Sequence, residues 1–276
     1  MIAEHNPAHI FFSGRNQQRA SELIAKIQRA TPSTKLTFIE ADLTSLASVR
    51  AAAKKVIAST DRLDVLMCNA GVMAMPALMS KDGYEIQFAT NHLGHAMLIK
   101  SVLPLMLKTA AQPNSDVRIV NLSSYAYHSA PSAGIEFSKL KTQGASYGAF
   151  WEPNKFACYG QSKLANLLYA TELAERYPNI TSVAVHPGFI KTDIHKNNTW
   201  IDAQIINLVG RGNWLDEEKG AYTQTWAATV TKGELENGAY YEPVGAKTVP
   251  TTKQGKDKGL AKELWEWTER ELEQWF

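Results

Sequence analysis

Tyr159 and Lys163 stand four residues apart in Tyr159-Gly-Gln-Ser-Lys163, at the start of a stretch with helical periodicity. That spacing puts both side chains on one helix face. A free tyrosine ionises near pH ~10, too high for efficient proton transfer at neutral pH. An ammonium group about 4 Å away favours the phenolate by up to roughly 4 kcal/mol at an effective dielectric near 20. The pair is therefore a candidate proton carrier. Alone it is a weak signal. A chain with 10 tyrosines holds about one such pair by chance, and a solvated surface pair is the alternative.

Other residues add weight. The run Val117 to Leu122 ends in Ser123-Ser124. A serine there can hydrogen-bond a carbonyl, or merely cap the strand. Met67-Cys68-Asn69-Ala70-Gly71 follows another apolar run; Asn69 can fix a turn, and Gly71 allows close backbone approach to a ligand. Asn91, in Asn91-His92-Leu93-Gly94-His95, lies inside a helical pattern, where asparagine is a poor helix former. It either faces solvent or bends the helix at a site. His186-Pro187-Gly188-Phe189-Ile190-Lys191-Thr192 follows a further apolar run.

These residues need a scaffold. Strands are expected over 8–13, 35–39, 63–67, 117–122, 180–186 and 238–241. Helices are expected over 17–30, with Asn16 as N-cap, over 45–58, 84–109 and 158–176, and at the C-terminus. Repeated strand–helix alternation means a parallel sheet with helices on both faces. The fold class is α/β, a Rossmann-type doubly wound sheet in one domain over 1–276. Two irregular stretches, about 129–157 and 189–216, each follow a strand. Ligands of open α/β sheets bind at the carboxyl ends of strands, so these stretches are the expected substrate walls. Met73, Met75, Phe150, Trp151, Trp200 and Trp214 lie on such loops and point to an apolar small molecule.

Composition excludes other classes. A net charge of +2 gives no electrostatic reason for nucleic acid or an anionic membrane as partner. Two distant cysteines argue against a disulfide frame and for a reducing compartment. No apolar run has the length of a membrane span, and residues 1–9 do not read as a signal peptide. A cytoplasmic location is expected. Leu260, Leu264, Trp267 and Trp275 recur at helical spacing; that stripe faces a second copy of the chain, a membrane or, preferably, its own sheet.

In the order Asp42-Leu43, Asn69-Ala-Gly71, Asn91, Ser123-Ser124, Tyr159-x3-Lys163, Pro187-Gly188 and Thr192, the chain resembles the short-chain dehydrogenase/reductase superfamily over nearly its whole length. Tyr159 to Asn166, with the long Ser-to-Tyr interval, is most similar to the retinol-dehydrogenase and WW-domain-oxidoreductase branch and its fungal relatives. The resemblance implies Tyr159 as general acid/base, Lys163 lowering its pKa and binding the nicotinamide ribose, Ser124 polarising the carbonyl, and Asn91 holding a water that relays protons to Lys163. It also implies cofactor contacts for Asp42, Asn69, Lys100, Ile190 and Thr192. NAD enzymes place a carboxylate near the end of the second strand. Here that strand ends Ser13-Gly14-Arg15-Asn16. Arg15 can pair with a 2′-phosphate, so NADP(H) is the expected cofactor.

One departure matters. Members of this superfamily begin with a strand, Thr-Gly-x3-Gly-x-Gly and a helix, and the chain carries none of the three. Met1 to Asn6 resembles the tail of that helix, so roughly 25–30 residues of the usual unit are missing. The sheet is expected to have a hole or a rearranged pairing. The expected activity is an NADP-dependent carbonyl reductase or alcohol dehydrogenase, and the chain as written is expected to hold NADPH poorly. The alternatives are a truncated gene reading of an active enzyme and a binding protein on the same scaffold that has lost its cofactor loop.

Overall fold

A computed structural model of the chain describes residues 1–142, 154–190 and 214–276. Strand β1 (His9–Gly14), helix α1 (Gln17–Ala30), strand β2 (Lys35–Glu40) and helix α2 (Leu46–Ser59) follow in order. Local chemistry sets their starts. The Asn16 side chain accepts from the Arg19 N–H, and the Ser45 side chain from that of Ser48, so each helix begins at a short polar cap. Strand β3 (Val65–Cys68) leads to a long helical stretch made of α3 (Ile86–Phe88), a π-helical turn (Ala89–Leu93) and α4 (Gly94–Ala110). Strand β4 (Arg118–Leu122), a 3-10 turn (Tyr125–Ser129), helix α5 (Asn154–Arg176) and strand β5 (Thr181–Val185) complete the centre. Then come β6 (Phe189–Ile190), β7 (Trp214–Leu215), α6 (Glu217–Gly220), α7 (Tyr222–Thr229), β8 (Tyr240–Glu242), β9 (Ala246–Thr248) and α8 (Lys258–Glu273).

The chain folds as a doubly wound α/β domain, but its sheet is in two parts. Strands β1 and β2 pair in parallel by themselves. A second sheet runs β3-β4-β5-β8-β9, parallel except for the last pair. Among the described residues no strand joins β1 to β3, so the alternative of a rearranged pairing falls away and the hole remains. Burial records it. All five residues of β4 are buried, whereas Val65, Leu66 and Met67 of β3 and every residue of β1 keep some exposure. Helix α2 ties the two parts together. Its Leu46, Val49 and Ala53 join the main core, while Ala52 and Val56 pack with Phe11, Ile39 and Ala41 under the small sheet.

One boundary, one irregular stretch, two further elements and one packing expectation differ from the sequence reading. Helix α5 begins at Asn154, so the loop expected over 129–157 closes earlier. The stretch expected to be irregular over 189–216 contains a parallel pairing of Phe189 and Ile190 with Trp214 and Leu215. Helix α7 and strand β9 carry too little periodicity to be read from the sequence. The α8 stripe packs on the helix layer rather than on the sheet: Leu264 is fully buried, Trp265 stacks on Tyr169 of α5 at 4.9 Å, and Trp267 meets Phe88 edge-on at 5.8 Å. Residues 143–153 and 191–213, with Phe150, Trp151, Thr192 and Trp200, lie outside the described residues. Among the described residues no helix is long and apolar enough to cross a membrane, and no cluster of side chains could hold a metal ion.

Candidate active site

Strand β4 and helix α5 build the site between them. Leu122, the last residue of β4, turns its carbonyl oxygen towards α5 and accepts from Lys163 Nζ at 3.0 Å and Asn166 Nδ2 at 2.9 Å. In the opposite sense, Ser123 Oγ donates to the Lys163 carbonyl at 2.8 Å. These bonds lock the strand end to the helix, one residue before Ser124. Ser124 then caps the 3-10 turn, its Oγ accepting from Ala126 N–H at 3.2 Å, and its hydroxyl acts on the Tyr159 phenol, favouring the phenolate against burial. The two serines thus divide the work: Ser123 is structural and fully buried, while Ser124 meets the phenol.

The turn and the helix approach closely because residue 160 has no side chain. A Cβ on Gly160 would lie 2.5 Å from Ser129 Oγ, 2.6 Å from Ala126 O and 2.7 Å from Ala130 N. Only glycine lets the turn rest against α5 beside Tyr159.

Electrostatics here are governed by burial. Burial pushes the Tyr159 phenol up to about 12, although its bond to Ser124 pulls the other way. Burial also brings the Lys163 ammonium down to about 8. Lys163 Nζ lies over the Tyr159 ring, 5.7 Å from its centroid, and donates to Leu122 O. The ammonium is expected to lower the phenol. In this arrangement desolvation outweighs it, and Tyr159 is a neutral phenol at pH 7.

Asn91 is not solvent-facing. It is fully buried in the π-helical turn. Its Oδ1 accepts from Val72 N–H at 2.8 Å, and its Nδ2 donates to Val72 O and Ser162 Oγ, both at 2.9 Å. Both amide protons are used by protein, which makes Asn91 a brace between the β3 loop and α5; one Oδ1 lone pair remains. The same brace explains Gly71, where a Cβ would stand 3.0 Å from Asn91 Oδ1 and 3.5 Å from Lys163 Nζ.

Two histidines near Lys163 were not singled out as site residues. His95 follows Asn91 by four residues, and its Nε2 N–H donates to Ala70 O at 2.8 Å. His186 ends the β5 segment and its Nδ1 accepts from Gly188 N–H at 3.4 Å. Burial, with the Lys163 charge second, brings each down to about 4; burial brings His92, bonded to Thr268, to about 3. The i, i+4 relation to Asn91 was the available signal for His95. All three stay neutral when folded but charge when unfolded. The unfolded chain therefore binds more protons below pH ~6.5, and stability falls as pH drops from about 6.5 towards 4, by up to about 3 kcal/mol for each histidine. Glu85, held up by burial, works in the opposite sense over part of that range. Thermal melting across pH 4–7 checks this; a melting temperature that is flat over the window would refute it.

The remaining expected contacts are scattered. Asn69 is exposed directly after β3, and Arg15 is exposed directly after β1 with no ion pair to another described residue. Asp42 is engaged by its own turn: it accepts from Thr44 N–H, Thr44 Oγ1 and Lys81 Nζ. Burial raises its carboxyl, but these bonds outweigh that and hold it below the usual range. Ile190 pairs with Leu215 and fills the space beside Gly220. Lys100 does not join the cluster. It pairs with Glu269 of α8 at 2.6 Å and stands over the Phe276 ring, so its ammonium serves the docking of the C-terminal helix.

The profile of the short chain dehydrogenase family matches residues 2–138. An uncharacterised oxidoreductase of Schizosaccharomyces pombe is 34% identical over 273 residues, covering 96% of this chain and 78% of that protein. A short-chain dehydrogenase/reductase of Aspergillus calidoustus is 32% identical over 286 residues, covering 98% of this chain and 87% of that protein. A crystal structure of a protein from Mycobacterium paratuberculosis superposes with a TM-score of 0.68 at 25% identity, covering 99% of this chain and 88% of that one. The NADPH-bound carbonyl reductase from chicken fatty liver shares the fold, with a TM-score of 0.59 at 23% identity over 88% of each chain. Similarity on this scale runs through the strands and helices that carry Ser124, Tyr159 and Lys163, and the chain belongs to the short-chain dehydrogenase/reductase family of oxidoreductases.

Proposed function

We propose that the site moves a hydride between NADP(H) and the carbonyl or secondary alcohol of an apolar small molecule. The observation that carries this reading is the placement of Ser124 at the carboxyl end of β4, against the helix that carries Tyr159 and the buried Lys163, with strand end and helix locked by the bonds to Leu122 O. A carbonyl oxygen received by these two hydroxyls is polarised by Ser124. Tyr159, protonated at pH 7, delivers its proton to that oxygen as the carbon is reduced. The phenolate left behind lies in the field of the Lys163 ammonium, whose Nζ stands 5.7 Å from the ring centroid. A bound nicotinamide supplies the hydride.

The residues fit one half of such a cofactor. The backbone at Gly71 lies open towards Lys163, where a Cβ would intrude, and Gly188 takes a φ of +94° at the end of the β5 loop. Ser13-Gly14-Arg15-Asn16 offers a guanidinium and no carboxylate at the end of β1, which suits a 2′-phosphate. The NADPH named for the chicken carbonyl reductase supports the same choice. The pyrophosphate half is different. Among the described residues no glycine-rich turn opens a helix after a central strand to present backbone N–H donors to it. Beside the two-part sheet of the described residues stands a second reading, a catalytically impaired binding protein on this scaffold. Titrating the 276-residue chain with NADPH by nicotinamide fluorescence, then following ketone-dependent NADPH oxidation at saturation, separates the two. Saturable binding with turnover supports the reductase, and neither supports the binding protein. A small apolar substrate and a cytoplasmic location, in keeping with two buried cysteines outside any disulfide, belong to the same proposal.

Arg15→Ala is expected to narrow a preference for NADPH over NADH by roughly ten-fold, the loss of one charge-assisted contact of about 1.5 kcal/mol. Affinities for both cofactors decide it; an unchanged ratio makes the arginine a bystander.

A further inference from the structure

Tyr125 follows Ser124 in the chain, yet its ring is 40% exposed while its neighbour Tyr127 is buried. The exposed ring is not loose. Its inner side stacks on His128 with centroids 4.2 Å apart. His128 is itself fixed at both nitrogens, Nδ1 to Tyr125 O at 2.8 Å and Nε2 to Thr251 Oγ1 at 2.6 Å. Phe189 and His186, from the segment after β5, approach the same ring at 6.1 Å and 6.4 Å, and they meet each other edge-on at 5.5 Å. Ser124 and Tyr159 define where a carbonyl oxygen is received. Rings from the two strand-end segments therefore meet, and that of Tyr125, the residue after Ser124, is held by His128 and open to solvent.

We infer that Tyr125 is the stacking platform for the substrate, and that the substrate class is an aryl or conjugated planar ketone or the matching alcohol. This rests on the carbonyl chemistry proposed above and adds the group next to the carbonyl. Aromatic rings gain from offset or edge contacts at centroid separations of about 4.5–7 Å, beyond the area they bury. A saturated ring of equal carbon count buries similar area but has no π face. A platform already immobilised by His128 loses little freedom on binding.

The test compares acetophenone with cyclohexyl methyl ketone, which have the same number of carbons, by ligand-observed NMR titration of the full chain at saturating NADPH. The wild-type chain is expected to bind the aryl ketone about five-fold more tightly. Tyr125→Phe keeps that ratio, and Tyr125→Ala brings it close to one, with melting curves confirming that both variants fold. Equal binding of the two ketones by the wild-type chain, binding of neither, or a ratio that survives in Tyr125→Ala would overturn the inference. NADPH oxidation read in the same samples separates the two claims. Aryl preference without turnover sinks the reductase reading and keeps the platform, and turnover without preference does the reverse.

Discussion

Tyr159→Phe is expected to lower the single-turnover rate of ketone reduction by roughly 10²–10⁴ while leaving NADPH binding within about two-fold. The substitution removes one oxygen and keeps the ring, so the packing of a residue only 7% exposed is preserved. What disappears is the proton that must reach the carbonyl oxygen. The buried phenol is pushed up to about 12, so it holds its proton at neutral pH and is suited to act as an acid. Without it, Ser124 alone can polarise the carbonyl but cannot complete the alcohol. Single-turnover kinetics at saturating NADPH isolate the chemical step from binding. A variant that reduces ketone at near wild-type rate would remove Tyr159 from the mechanism. A variant that loses NADPH binding as well would show that the hydroxyl holds the cofactor rather than the proton.

Gly160→Ala is expected to cost both stability and activity, although no atom of residue 160 takes part in the chemistry. The added methyl carbon would meet two backbone atoms of the 125–130 segment at 2.6 and 2.7 Å and the Ser129 hydroxyl at 2.5 Å. Backbone cannot rotate away as a side-chain tip can, so either the helix or the turn must shift. Overpacking of this kind costs about 1–3 kcal/mol, or roughly 3–10 °C in melting temperature for a chain of this size. Ser124 caps that turn, so the shift also separates it from Tyr159. Gly14→Ala is the control, because its Cβ would make only an ordinary contact with Phe38 at 3.6 Å, and its stability should be unchanged. If Gly160→Ala melts and turns over like the wild-type chain, the close approach of turn and helix is not what positions Ser124.

Much of the site was legible without coordinates, and the reason is that it is written locally. The helix cap at Asn16 needs only a few neighbouring residues, and the strands expected over 35–39 and 117–122 follow from short apolar runs. Tyr159 and Lys163 share a helix face by spacing alone, and Ser124 stands at a strand end by position alone. For the sheet the alternation of elements left two outcomes, a hole or a rearranged pairing, and among the described residues the strands form separate sheets.

Tertiary structure decided what those residues are like. Burial is a sum over distant segments, so nothing near Tyr159 in sequence tells that its phenol rises rather than falls, or that Lys163 donates to Leu122 O. Asn91 had two readings, solvent-facing or bending the helix; the choice came from Val72 and Ser162, which lie 19 and 71 residues away. Lys100 was drawn from the expected cofactor contacts by Glu269, across 169 residues. Spacing along a chain can state which side chains share a face. Desolvation and hydrogen-bond competition depend on what is brought against that face, and only the folded packing supplies it.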